Sequence, residues 1–183
     1  MILLKNRRNL ESVLHSTDTD IYTVEGYACH FDRPNLNNEI VSADSFSRFF
    51  DILNEKHIMP YFDYDHYGTI IGAWDSIVAD KNGLYAKGHI YKNIGFVKNE
   101  LAPLIEAGNL SYLSTMGFAN KISERDNGYF VDDFELLAIS LVNIPADMDA
   151  YVKITSNGEV LQRNEYVPQP NKKETLTNKI LLI

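Results

Sequence analysis

Apolar positions along this chain fall mostly into short alternating or unbroken runs, separated by Gly, Pro, Asn and Asp. Ile21, Tyr22 and Val24 open a run over 20–31 that predicts a first strand. Arg33-Pro34-Asn35 then breaks it with turn chemistry. Phe46, Phe49, Phe50 and Leu53 recur at i, i+3, i+4 and i+7, predicting a core-facing helix over 44–55 that Asp44 or Ser45 can cap. Strands are expected over 58–62 and 69–78, and Lys81-Asn82-Gly83 predicts a tight hairpin into a strand over 84–91. Leu101, Leu104 and Ile105 mark a second helix over 97–107, stopped by Gly108. The chain returns to strand over 110–119. Asp126-Asn127-Gly128 turns it into 129–131, and 136–142 is an apolar run fit for a buried strand that ends before Pro145. Many short strands punctuated by turns argue for a barrel or sandwich. The expected class is α+β, a closed or nearly closed, mostly antiparallel β-barrel flanked by a few helices.

At 183 residues the chain is long enough for one domain with a real core, and 45% hydrophobic with 23% charged residues suits a soluble globular protein. The expected layout is an N-terminal arm over 1–19, a folded domain over 20–155 and a flexible tail over 156–183, where the composition turns to Asn, Gln, Lys, Glu and Pro before the apolar tip Ile180 to Ile183. A net charge of −8 argues against a phosphate-binding surface, so no nucleic-acid partner is expected. The single cysteine, Cys29, cannot pair within the chain and reads as a packed thiol in a reducing compartment. Met1-Ile2-Leu3-Leu4 is too short for a signal-peptide core and no apolar run approaches membrane-spanning length, so neither export nor a membrane partner is expected.

Chemistry concentrates in two places. In Leu113-Ser114-Thr115-Met116-Gly117-Phe118, two hydroxyls stand just before a glycine. A hydroxyl is nucleophilic only with a base in reach. The glycine leaves room for a substrate backbone, and the N–H groups at Met116 and Gly117 are the expected oxyanion donors. The base expected is His66, in Asp63-Tyr64-Asp65-His66. His30, His57 and His89 lack comparable neighbours, and His89 reads as a satisfied strand histidine. Adjacent strand residues face opposite ways, so only one of Ser114 and Thr115 can point at His66. Near His66 no second histidine stands at i+3 or i+4, so metal chemistry is disfavoured, and no glycine-rich loop cradles a phosphate. No cofactor is expected.

Taken in order, these segments resemble the caudovirus prohead serine proteases, which are related in fold to the herpesvirus assemblins. The resemblance runs from about Val24 to Lys153. Glu25-Gly26-Tyr27-Ala28 with Phe31 looks like the family's opening strand, and Ser42-Ala43-Asp44-Ser45-Phe46 like the turn into its first helix. Ile71-Gly72-Ala73-Trp74 matches its strand after the histidine, and Asp80-Lys81-Asn82-Gly83-Leu84-Tyr85 its hairpin. Leu113 to Phe118 matches its nucleophile strand, and Glu135 to Val142 with Ile144-Pro145-Ala146 its apolar stretch. Three positions depart from the pattern. A gap-free match on Gly68 puts Asp65 at the family histidine and His66 one place late. Counting from Gly108 puts Ser114 on the family serine, whereas counting back from Gly117 puts Thr115 there, so an extra residue, a bulge, separates the two anchors. Ala138 stands where the family has glutamate, leaving Asp65, Asp63, Glu135 or Asp133 to orient the histidine.

The resemblance implies an assemblin-type barrel and a prohead maturation endopeptidase in the host cytoplasm, working inside the assembling prohead. It implies phage scaffold and major capsid protein as substrates, Ser114 as nucleophile with Thr115 as the alternative, and self-association as a further expectation. The three departures support a second reading, a catalytically degenerate protease fold serving as a structural or scaffold component of the capsid. An acidic binding module with no capsid connection is a third.

Overall fold

Val24, Leu84, Ala86, Ile90, Ile71, Ile139 and Leu141 are fully buried and come from strands far apart in sequence, so one curled sheet wraps a single core. The structure is a computed structural model describing residues 20–126 and 128–161. The elements are β1 Ile21–His30, β2 Glu39–Val41, a 3₁₀ turn Ala43–Phe46 leading into α1 Ser47–Lys56, β3 Tyr61–Tyr64, β4 Thr69–Ala79 and β5 Gly83–Tyr91. They continue through a wide turn Val97–Leu101 into α2 Ala102–Glu106, then β6 Tyr112–Arg125, β7 Gly128–Val142, β8 Val152–Ser156 and β9 Glu159–Val160. The expected arm over 1–19 and the tail from 162 onward lie outside the described residues. The tail's expected start at 156 falls inside a hairpin, because Thr155 and Ser156 pair with Val160 and Glu159.

Around the sheet the order is β7-β3-β4-β5-β1-β8, with β6 on the other side of β7. The ends meet: the Leu113 N–H bonds the Ala150 carbonyl and the Val152 N–H bonds the Ser111 carbonyl, both at 2.9 Å. The result is the expected barrel, mostly antiparallel, but β2 and β3 both run parallel to β7. Inside, Phe62 stacks on Trp74 with ring centroids 4.0 Å apart. Each such large apolar side chain contributes about 1.5–3 kcal/mol on burial.

Both helices form where the apolar spacing puts them, with corrections at their ends. Ser42, not Asp44 or Ser45, caps the first. The buried Ser45 hydroxyl accepts the Ser42 N–H (2.9 Å) and donates to the Val131 carbonyl (2.6 Å), tying the helix start to β7. The second helix is regular only over Ala102–Glu106; its first turn is wide, with the Ala102 N–H reaching back five residues to Val97. Gly108 ends it at φ +72°, a left-handed angle that glycine adopts without steric cost.

Two strand expectations shift. β3 lies at Tyr61–Tyr64 and not over 58–62, because Pro60 has no N–H for a ladder and Tyr61 is the first residue registered on β7. The separate short strands expected over 110–119, 129–131 and 136–142 are a single long hairpin, β6–β7. Its outer arm keeps Phe118 and Ile122 exposed, so no core imposes the apolar alternation that marks a strand in sequence.

Candidate active site

Ser114 on β6 lies opposite Ser140 on β7, and Ser140 lies opposite Asp63 on β3. Directly paired residues share a face, so three neighbouring strands present a row, Ser114–Ser140–Asp63, on one side of the sheet. Their flanking neighbours Leu113, Ile139, Leu141 and Phe62 turn the other way, into the barrel.

The histidine comes from the turn joining β3 to β4. The Tyr67 N–H bonds the Tyr64 carbonyl at 3.1 Å, and Asp65 (φ +53°) and His66 (φ +62°) are both left-handed. These two residues form a left-handed turn inside a four-residue connection, 65–68, between the paired Tyr64 and Thr69. Neither residue is glycine, and each left-handed L-residue costs about 1–2 kcal/mol. The turn is pinned on both sides: the Asp65 N–H bonds the Leu141 carbonyl (3.0 Å), and the Gly68 N–H bonds Asp63 Oδ2 (2.8 Å). The imidazole is thereby folded back over the row.

Its two nitrogens meet two hydroxyls. His66 Nε2 is 3.1 Å from Ser114 Oγ, and Nδ1 is 2.8 Å from Ser140 Oγ. Ser140 Oγ also bonds Asp63 Oδ1. Asp63 and Ser140 are fully buried, and Ser114 nearly so. The proton inventory fixes the roles. Ser140 Oγ donates its single proton to Asp63 Oδ1. Ser140 must then accept from His66, which places the ring proton on Nδ1. Nε2 is left with its lone pair facing the Ser114 hydroxyl, the tautomer a general base needs.

The structure brings together His66, Ser114 and Asp63 of the expected residues. Thr115 points to the opposite face and makes no hydrogen bond to His66. Asp65 helps form the turn, and its carboxylate does not bond His66. Glu135 and Asp133 pair with Phe118 and Lys121, five and seven positions from Ser140 along β7, about 15 Å or more away at strand rise, so neither can orient the ring. Ala138 is buried between Met116 and Tyr61 in the next row of the same face. The bulge falls where the two anchors disagree, but its extra residue is Leu137 on β7: Met116 faces Ala138 and Gly117 faces Leu136.

Because the Leu113 N–H points away from β7 to Ala150, alternation directs the Thr115 and Gly117 N–H groups to that same edge and the Met116 N–H into the β7 ladder. Met116 is therefore not a free donor, while the Thr115 and Gly117 N–H groups point to the edge of β6 away from β7. Among the described residues no strand pairs this edge of β6 beyond Leu113.

Sequence reasoning missed Ser140, which sits inside the apolar run 136–142 and looks like a small core residue. It also missed the setting of His30, whose Nδ1 and N–H both bond Asp147 Oδ2 (2.8 and 2.7 Å). Arg33 bonds Asp147 Oδ1 (2.8 Å) and Asp149. Burial alone would raise the Asp147 carboxyl, but the His30 side chain, the Asp149 and His30 N–H groups and the Arg33 guanidinium together pull it down to about 2. His89 bonds Asp75 on the neighbouring strand (3.0 Å), a satisfied strand histidine. Burial pushes the Cys29 thiol up to about 12, which leaves it inert. Among the described residues no group of three metal-ligating side chains gathers, and no helix is long and apolar enough to cross a membrane.

An outward-facing serine under an imidazole, on a strand of a curled barrel, leads to a serine protease class. The caudovirus prohead serine protease family matches residues 8–163, and the chain belongs to that family. In fold it is similar to the capsid assembly protease of bacteriophage T4, at 14% identity and a TM-score of 0.57 over 66% of this chain and 80% of that one. It is also similar to the KSHV protease in complex with a hexapeptide phosphonate inhibitor, at 12% identity and a TM-score of 0.51 over 75% of this chain and 66% of that one. No curated protein matches it in sequence.

Proposed function

We propose that this chain is a working endopeptidase of head maturation that cuts scaffold and major capsid protein inside the assembling prohead. One observation carries the reading: His66 sits between the Ser114 hydroxyl and a buried Ser140–Asp63 pair, with its basic nitrogen on the Ser114 side. Ser114 Oγ attacks the scissile carbonyl carbon while Nε2 takes its proton. The Thr115 and Gly117 N–H groups receive the charge that develops on the carbonyl oxygen. The C–N bond then breaks, the imidazolium gives its proton to the leaving amine, and water, deprotonated by the same nitrogen, releases the acyl group from Ser114. The unpaired edge of β6 offers main-chain groups to an extended peptide, which is how a sheet edge takes up a partner strand.

Ala138, which stands where the family has glutamate, favours the second reading, a degenerate protease fold kept as a head component. Co-expression with scaffold and capsid protein separates the two. The wild type should cut both, and Ser114→Ala and His66→Ala should leave them uncut with melting temperatures close to wild type. Thr115→Ala should still cut. A peptide phosphonate should add covalently to wild type, at Ser114 by mass spectrometry. Full cleavage by both variants, or labelling at Thr115, refutes the assignment; a folded wild type that neither cuts nor labels supports the structural role.

A further inference from the structure

A cavity of about 110 Å³ adjoins Ser114 and Thr115, between the end of β1 and the unpaired edge of β6. Its volume is about that of four water molecules, the scale of one long side chain. Ala28, Cys29, Val131 and Phe134 give it an apolar lining, and Glu39 with Asn35 stands at its polar wall. From this we infer that the cavity receives a basic substrate side chain, lysine or arginine, at the residue beside the bond that is cut, and that Glu39 sets the preference. The inference rests on the protease reading above.

The charges around the cavity decide it. Arg33 is bound by Asp147 and Asp149, and His30 by Asp147, so the cations of the rim already have carboxylate partners. Glu39 pairs with no cation among the described residues. Its Oε2 accepts only amide protons, from Asn35 Nδ2 (3.1 Å) and Asn37 Nδ2 (3.4 Å). Asn35 Oδ1 in turn accepts the N–H groups of Asn37 (2.9 Å) and Glu39 (3.0 Å), so the loop holds the carboxylate in place. Counting Asp149, which bonds Arg33 from outside the lining, three carboxylates stand against one guanidinium, leaving two negative charges with His30 neutral and one with it protonated. An apolar lining with an uncompensated carboxylate at the wall matches an apolar stem ending in a cation, the shape of lysine and arginine. Glutamate or aspartate at the same place would meet like charge, which is how a site rejects the wrong partner.

Peptides spanning a mapped cleavage site, with Lys, Arg, Gln or Glu at either position flanking the cut, test this in two ways. For cleavage by wild type, kcat/KM should favour Lys or Arg over Gln at one of the two positions by about tenfold or more, with Glu worst. Glu39→Gln should bring the Lys-to-Gln ratio in kcat/KM close to one. Glu39→Lys should favour Glu, and Glu39→Asp, which keeps the charge, should retain the preference for Lys. For binding, the uncleaving Ser114→Ala variant should show the same ranking in Kd by fluorescence anisotropy, lost when Glu39→Gln is added. Equal cutting of all four peptides, or a preference for Lys that survives Glu39→Gln, overturns the inference while the protease reading stands. If no peptide is cut, the protease reading fails, and the Kd ranking alone supports or overturns the role of Glu39.

Discussion

At the scale of single residues the site is an accounting of protons. Ser140 has one to give, and whichever group takes it decides which His66 nitrogen carries the ring proton. Replacing Ser140 with alanine removes the acceptor that holds the Nδ1 proton and leaves half of a buried carboxylate without a partner. The expected result is a kcat lower by as much as about 10⁴, the loss seen when an orienting acid is removed, and a stability loss of about 1–3 kcal/mol for the stranded acceptor. Asp63→Asn is the sharper probe, since it keeps the shape and changes the roles. An amide donates to Ser140, Ser140 then donates to Nδ1, and the ring proton moves to Nε2, where it faces the nucleophile. Cleavage should fall as far as in Ser140→Ala while the melting temperature falls less. Near-normal kcat in Asp63→Asn would show that the buried pair serves folding alone. Asp63 stood among the candidate orienting acids in the sequence, but Ser140, the link between it and His66, did not. The hydroxyls before Gly117 and the histidine among acids stood out because chemistry was already expected of them, whereas Ser140 lies between Ile139 and Leu141 and reads as core. Its role follows from strand register, which places it between Ser114 and Asp63, and register is not written in local composition.

At the scale of elements, two glycines hold the nucleophile strand and the histidine turn in place for different physical reasons. A Cβ at Gly117 would sit 2.0 Å from the Glu135 carbonyl oxygen, so Gly117→Ala must separate β6 from β7 at the bulge. It should cost stability and shift Ser114 away from His66, lowering kcat together with the melting temperature. A Cβ at Gly68 meets nothing within 4 Å, and the cost there is only the left-handed angle, φ +72°. Gly68→Ala should therefore cost about 1 kcal/mol and keep most activity. Thermal denaturation and kcat measured on both variants check the contrast; equal effects would mean that backbone contact is not what fixes β6. Elements were legible where a local rule suffices: the two amphipathic stretches and the capping glycine after α2. The hairpin after β4 forms where Asn82-Gly83 puts it, but neither residue takes a positive φ; Asp80 Oδ1 holds the turn by accepting both N–H groups. Elements were misread where a neighbour decides. The position of β3 depends on β7, the parallel pairings depend on connections that cross the barrel, and the length of the β6–β7 hairpin comes from ladder bonds in an arm whose β6 residues Phe118 and Ile122 stay exposed.

At the scale of the whole molecule, the barrel's seam is where the two ends of the sheet meet, and a charged cluster braces it. His30 closes β1, Arg33 lies in the loop after it, and Asp147 and Asp149 lie in the loop between β7 and β8, so their bonds tie the end of β1 to that loop beside the cavity next to Ser114. The Asp147 carboxyl is held at about 2, against about 3.9 for an aspartate in an unfolded chain. Between those values the folded protein keeps Asp147 ionised while the unfolded chain takes up a proton. Asp147 thus adds stability that is fully present above about pH 4 and is lost as the pH falls toward 2. The contribution is about 2 kcal/mol, and the side chain is well enough shielded for it to count, at 14% exposure. Glu25, lowered chiefly by its bond to Lys153, and Asp80, lowered chiefly by the Tyr27 hydroxyl, change in the same direction. The informative quantity is therefore the difference between proteins, not the slope of one. Asp147→Asn should be less stable than wild type at neutral pH, and the gap should close as the pH drops from about 4 to about 2. Urea denaturation of both proteins at a series of pH values measures it; a gap that stays constant across that window would show that the loops are held together by packing and not by the Asp147 charge.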